Sequence, residues 1–320
     1  MSKTKIWLIT AAFLVLVGSI IFGSVMTVLK WDFTKLSTNK YENNNYEITE
    51  DFNGISLKTG TADITFVISG DSKCSVECYE QTNAPHSVTV KDNALVIEAI
   101  DSRKWYEYIG INFDTPKIKV NLPKTEYTTL FIKESTGDIE IPKSFKFEDV
   151  DISLSTGDVS FFASSSKLIK IKTSTGKIHI ENISAGALEL SASTGGITLS
   201  DVMCEGNVNI KVSTGKTDLT DIKCKNLTSN ASTGKIFLNN VIAAEKFSIK
   251  RSTGNVKFEK CDASEIFVET DTGNVVGSLL TDKVFITHTD TGSIKVPNSI
   301  TGGRCEITTD TGNIEIDINS

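Results

Sequence analysis

The sequence predicts an all-β protein: a parallel β-solenoid (β-helix) of about ten 19–20-residue coils, preceded by irregular β strands and one N-terminal transmembrane helix. Three observations predict it. An uncharged apolar run opens the chain, a Thr-Gly pair recurs at near-constant spacing, and the residues around each pair alternate between apolar and polar.

The apolar run extends from Ile6 to Leu29, about 24 residues that rise roughly 36 Å as a helix, enough to cross a bilayer core with some tilt. No small-x-small cleavage signal follows it, so an uncleaved anchor is expected rather than a removed signal peptide. Lys3 and Lys5 precede the run and Lys30, Lys35 and Lys40 follow it, leaving charge neutral on orientation. The short leading segment favours an N-terminus inside and a β domain outside the cell, as a single-pass protein of the cell membrane. The expected organisation is a short cytoplasmic N-terminus (1–5), the anchor (6–29), a polar linker (30–45), an N-terminal β region capping or starting the solenoid (46–130), and the Thr-Gly solenoid (131–320).

The glycines of the repeat are Gly137, Gly157, Gly176, Gly195, Gly215, Gly234, Gly254, Gly273, Gly292 and Gly312, always 19 or 20 residues apart. Each is preceded by threonine: Thr136, Thr156, Thr175, Thr194, Thr214, Thr233, Thr253, Thr272, Thr291 and Thr311. Two residues after each glycine stands a β-branched residue, and four after it usually another apolar one, which is strand periodicity. A unit this small cannot bury its apolar face alone, whereas stacking in register builds a continuous core. At about 3.3 Å per residue, nineteen residues make a circuit of roughly 60 to 65 Å, suited to a flattened or triangular coil. In such a stack the glycines form a corner where backbones approach closely, and the threonine hydroxyls bond along the ladder or to the turn.

Composition narrows function. With 33 Lys plus Arg against 40 Asp plus Glu, the net charge is −7 and the isoelectric point about 5.2, so a nucleic-acid surface is not expected. Only three histidines occur, His86, His179 and His288, and no catalytic residues are assigned. Asp271-Thr272-Gly273, Asp290-Thr291-Gly292 and Asp310-Thr311-Gly312 match the aspartic-protease triplet, but that chemistry needs two carboxylates facing across a cleft. Here the triplets grade into Ser-Thr-Gly at the same repeat position. A stacked Asp271, Asp290 and Asp310 would instead place three carboxylates about 4.8 Å apart, a candidate Ca²⁺ or other divalent metal site; no other cofactor is expected.

Six cysteines are present. Cys204 and Cys224 each lie nine residues after a repeat glycine, so they fall on adjacent coils within Cα reach of a disulfide, while a small buried thiol fits the same place. Outward Phe237, Phe267 and Ile286 read as scattered exposed apolar residues. The C-terminal sequence NIEIDINS ends in strand pattern without a helical cap, so an open solenoid edge and self-association through it are expected.

The repeated [ST]-[SD]-T-G-x-[IV]-x-apolar pattern, following an anchor and a WDFTKLST-like linker, resembles the bacterial putative-adhesin family of β-strand-repeat proteins (DUF4097-like). The resemblance covers Tyr46 to Ser320 and implies a β-solenoid. It also implies, for some anchored members, an association with envelope-stress responses. It transfers no catalytic residues. The expected function is therefore a non-enzymatic surface adhesion, scaffold or interaction protein, held to the membrane by its helix and meeting a protein or polysaccharide partner. The alternatives are an accessory component of envelope-stress signalling and, behind it, a carbohydrate-active β-helix enzyme.

Overall fold

A computed structural model describes residues 3–36, 40–70, 73–101, 103 and 114–319. The expected linker therefore lies partly outside the described residues, at 37–39.

The first element is an α-helix, Lys3–Val28, that packs against almost nothing and is long and apolar enough to cross a membrane. Its hydroxyls turn inward on their own helix: Thr10 Oγ1 donates to the Ile6 carbonyl (3.0 Å), Ser19 to Val15 (2.9 Å), Ser24 to Ile20 (2.8 Å) and Thr27 to Gly23 (2.7 Å). Polar groups satisfied within the helix suit a hydrocarbon surround. Lys30 and Trp31, both in the left-handed region, close the helix, with the Trp31 amide bonded to the Met26 carbonyl at 2.8 Å. A single 3₁₀ turn, Phe33–Leu36, follows. The next strand starts at Tyr41, so the end of the expected linker is strand, paired antiparallel with Cys74–Gln81.

Beyond this point the chain is a stack of parallel coils. Strand Lys146–Thr156, for example, pairs in register with Glu126–Thr136 on one side and Ser164–Thr175 on the other. The Gly column is where the coils approach most closely. A Cβ on Gly195 (φ +141°) would lie 1.8 Å from the Gly176 carbonyl oxygen, so the site admits only glycine. Each of these glycines except Gly292 donates its amide to the threonine carbonyl of the coil stacked beside it, as Gly176 does to Thr194 at 2.9 Å.

Inward positions run in three stretches per coil. Before each glycine they alternate, as in Leu188, Leu190 and Ala192; after it come pairs such as Ile197 and Leu199, then Val202 and Cys204, all buried. The switch from even to odd spacing needs a corner, and it lies six residues after the glycine. Asn182, Asp201, Asp221, Asn240 and Lys260 stand there with φ between +52° and +56°. Four of the five are Asn or Asp, which tolerate the left-handed region better than other residues with side chains. The third corner absorbs the difference between 19 and 20 residues, as in the register shift between Ala243 and Lys246.

The coils are not stacked in chain order at either end. Near the N-terminus, Gly54–Lys58 and Asp63–Ile68 lie between the later Ala94–Ala99 and Lys117–Leu122 on one side and Glu126–Thr136 and Ile139–Ile141 on the other. In this inserted coil Thr61 and Ala62 occupy the Thr-Gly place: Thr61 bridges Thr136, and the Ala62 amide donates to the Thr136 carbonyl at 3.0 Å. Antiparallel strands then close that end, Cys74–Gln81 against Lys117–Leu122 and His86–Lys91 against Ala94–Ala99.

At the other end the last two coils are exchanged. Gly303–Thr311 pairs with Val256–Thr272 on one side and Lys283–Thr291 on the other; Ile314–Ile318 lies between Val275–Leu279 and Ile294–Lys295. The expectation that NIEIDINS forms the open edge is therefore corrected. That segment is interior, and the open edge is the coil of Gly292. Its core-side residue Ile294 is 45% exposed, whereas Ile314 at the same repeat position is fully buried.

Candidate functional site

In each strand that precedes a repeat glycine, the residues four and six before it point outward. Stacking turns them into two parallel columns that border a continuous groove along one face. Its central stretch, about 530 Å³, is lined by Lys170, Lys172, Glu189, Asn209, Lys211 and Asn230 among others. Asn230 also lines the next stretch, about 310 Å³, with Lys250, Phe267, Glu269, Asp271, Glu306 and Asp310. Charge changes along the groove from lysine-rich in the middle to carboxylate-rich toward the open end.

Part of this charge is paired between neighbouring coils. Lys170 Nζ lies 3.1 Å from Asp151, and Lys250 Nζ lies 2.6 Å from Glu269, whose hydrogen bond and negative charge hold the Lys250 ammonium above its ordinary pKa. Such exposed pairs add little stability, so they leave the groove open to exchange partners. Phe267, read from sequence as one of several scattered apolar residues, is a cation-covered ring: Lys246 Nζ sits 3.9 Å and Arg304 Cζ 5.4 Å from its centroid. Phe237 has Lys257 Nζ at 5.1 Å.

The three aspartates of the candidate divalent site are exposed and stack in the order Asp271, Asp310, Asp290. Asp290 Oδ1 lies 2.9 Å from His288 Nε2. They are not gathered into a set of converging ligand atoms; among the described residues such a set occurs only at Cys78, Glu80 and His86. The Asp-Thr-Gly triplets lie side by side on one ladder, which does not present two carboxylates across a cleft. Cys204 and Cys224 are buried, unbridged thiols. In-register parallel neighbours hold their Cβ atoms about 4.8 Å apart, beyond the usual 3.5–4.5 Å of a disulfide. The ten repeat threonines form an outward ladder rather than part of the core.

One turn position carries a ladder that the Thr-Gly count does not reveal. The residue after the glycine accepts the backbone amide of the next coil: Asp63 from Asp138 (3.0 Å), Asp138 from Asp158 (2.8 Å) and Asp158 from Lys177 (2.7 Å). Asparagines do the same at the far end, Asn255 from Asn274 (2.9 Å), Asn274 from Asn313 (2.8 Å) and Asn313 from Ser293 (2.9 Å). Between them stand Gly196, Lys216 and Lys235, where the sequence carries no such acceptor.

Fold and face together define a parallel β-solenoid with an apolar N-terminal helix and a polar groove along its length. The Toastrack DUF4097 family model matches residues 52–211 and 205–320, and the chain belongs to that family. Its fold is shared by a crystal structure from Parabacteroides distasonis described as a putative adhesin: 15% identity, 87% of this chain and 98% of that one covered, TM-score 0.51. A second, from Parabacteroides merdae and also described as a putative adhesin, matches with 14% identity over 77% of this chain and 98% of that one, TM-score 0.51. Comparison with curated proteins gives no match.

Proposed function

We propose that the protein is a membrane-anchored, non-enzymatic solenoid that holds an extended polymer, protein or polysaccharide, in the groove along its outer face. The observation that carries this reading is the groove itself, continuous over several coils and lined by side chains that the stack does not need for its own packing. A repeat that offers the same two outward positions at every step of about 4.8 Å suits a ligand that is itself extended. The anchoring helix supports a cell-surface location, with the β domain outside, and the descriptions of the structural neighbours fit an adhesive role.

The open Gly292 coil supports self-association. Val284, Ile286 and Ile294 are exposed there, and among the described residues no strand pairs with the edge of Lys283–Thr291 away from Gly303–Thr311. The antiparallel strands at the opposite end block head-to-tail growth, so the proposed contact is between the Gly292 edges of two copies.

Glycan and peptide arrays probed with the full chain in detergent test the groove. The expected result is binding that weakens about tenfold or more when Lys172 and Lys211 are changed to Ala, while the fold is kept. Binding that ignores both changes, or no binding to any extended polymer, contradicts the reading. Light scattering tests the edge: a dimer that Ile286→Lys converts to a monomer is expected, and a monomeric unaltered chain contradicts it.

A further inference from the structure

Outside the groove, the described residues bring metal-ligating atoms together at one place, in the antiparallel cap. Cys78 and Glu80 are alternate residues of Cys74–Gln81, so both side chains point to the covered face of that strand. The chain then reverses, with the Ala84 amide bonded to the Gln81 carbonyl at 3.0 Å, and His86 opens the next strand beside Glu80. One ligand atom from each of the three residues lies within 4.8 Å of the others. Glu80 is fully buried, Cys78 is 1% exposed and His86 6%.

We propose that Cys78, Glu80 and His86 form a binding site for a transition-metal dication of the Zn²⁺ class. A thiolate, an imidazole and a carboxylate are the donors such ions take, and the sulfur and nitrogen argue against Ca²⁺ or Mg²⁺, which prefer oxygen alone. The arrangement around Glu80 matches what a ligating carboxylate needs. Asn44 Nδ2 (2.7 Å) and the Tyr46 hydroxyl (3.2 Å) both donate to Oε1, and the His86 amide donates to Oε2 (2.7 Å), fixing the group while leaving the His86 ring and the thiol beside it. His86 also lines a cavity of about 610 Å³ shared with Tyr41, Gln81 and Arg103, which supplies a route from solvent and room for a fourth ligand such as water.

Charge favours the exchange. Without metal, Cys78 is a buried free thiol. His86 Nδ1 lies 2.5 Å from Glu80 Oε2. A dication entering the cluster releases the thiol proton to solvent and takes the Nδ1 lone pair of a neutral His86 whose ring proton sits on Nε2, and its own charge compensates the thiolate and carboxylate. Two ligand atoms on one tetrahedral ion stand roughly 3.3 Å apart, so the His86 ring swings away from Glu80 by somewhat less than an ångström on loading. Because Asn44 and Tyr46 belong to Tyr41–Ile48, the loaded site fastens the strand after the anchor to the hairpin that closes the stack.

Titration of the chelator-treated full chain in detergent with Co²⁺ tests the site. The expected result is one equivalent bound, an intense thiolate-to-cobalt band in the near ultraviolet, tetrahedral visible absorption, and bleaching by Zn²⁺. Cys78→Ser abolishes the charge-transfer band, His86→Gln weakens binding about tenfold or more, and Cys74→Ser, on the same strand outside the cluster, leaves both unchanged. No band at saturating Co²⁺, or a band that survives Cys78→Ser, overturns the proposal. Since Cys78→Ser can disturb the cap, X-ray absorption at the zinc edge of the unaltered protein gives a second reading: one sulfur among nitrogen and oxygen ligands is expected, and an all-oxygen or absent shell overturns it.

Discussion

The amide of Gly273 donates to the carbonyl of Thr311 at 2.9 Å, although Thr291 is the next repeat threonine in the chain. Thr291 instead receives the amide of Gly312, also at 2.9 Å. Side chains repeat the exchange: Thr309 Oγ1 donates to the Gly273 carbonyl at 3.0 Å and Thr289 Oγ1 to Gly312 at 2.9 Å. The chain thus lays down its outermost coil first and then returns to fill the layer beneath it.

Removal of residues 303–320 is therefore expected to do more than shorten the stack by one coil. It takes away the one strand that pairs with Lys283–Thr291 among the described residues, leaving that strand unpaired unless it moves inward. Hydrogen exchange on the truncated chain should show protection lost across 283–295 while the Gly215 and Gly234 coils keep theirs. Unchanged protection at 283–295 would contradict the exchanged order.

Gly195→Ala is expected to destabilise the protein by about 3 kcal/mol, combining left-handed strain with a Cβ forced against the Gly176 carbonyl. Gly60, with nothing within 4 Å of the added atom, provides the contrast; Gly60→Ala should change stability by less than about 0.5 kcal/mol. Urea denaturation of the two variants checks both values.

Burial pushes the Glu134 carboxyl up to about 8 from its ordinary 4.5. Its Oε1 accepts the Ala62 amide at 2.7 Å, while Oε2 has no hydrogen-bond partner. Because the folded state binds this proton more tightly, its contribution to stability is complete below about pH 4.5, declines as pH rises, and is gone above about pH 8. Glu134→Gln should remove this decline and leave the variant roughly 2 kcal/mol more stable than the parent at pH 9. Identical pH slopes for parent and variant in thermal denaturation would refute the assignment.

Arg251 occupies an inward position that Leu154 and Val212 fill in other coils. Its guanidinium is fully buried; Nη2 donates to Ser229 Oγ at 2.7 Å, but Nε and Nη1 have no hydrogen-bond partner, and burial pulls its pKa down to about 10. Arg251→Met, of similar length, is expected to stabilise the protein by about 1–2 kcal/mol, read from the denaturation midpoint. A loss of stability would show that the cation is compensated in solution.

Repetition made the stack legible, since every Thr-Gly pair meets the same backbone demand, and period 2 around it identified the inward residues. The corner at Asn182, Asp201, Asp221, Asn240 and Lys260 was equally open to reading, as Asn and Asp recur six residues after the glycine. The exchanged coils were not. Gly292 and Gly312 lie in near-identical local sequences, so either fits either layer by its own alternation, and long-range register decides between them. Thr61-Ala62 escaped because alanine replaces the marker glycine. The cluster at Cys78, Glu80 and His86 escaped because its members come from a strand and the return strand of an irregular hairpin, with no repeat to align them. The groove was hidden in the outward positions, whose variety carries no signal until stacking places Lys172 and Lys211 in one column, two coils apart with Ser191 between them.

The most direct test of the stacking account is pairwise thiol cross-linking at Asp271, Asp290 and Asp310, three exposed positions at equivalent places on their coils. With each pair changed to cysteine and treated with a reagent spanning one coil step, about 4.8 Å, efficient cross-linking is predicted for 271 with 310 and for 310 with 290. Efficient cross-linking of 271 with 290, with 271 and 310 left unjoined, would contradict it.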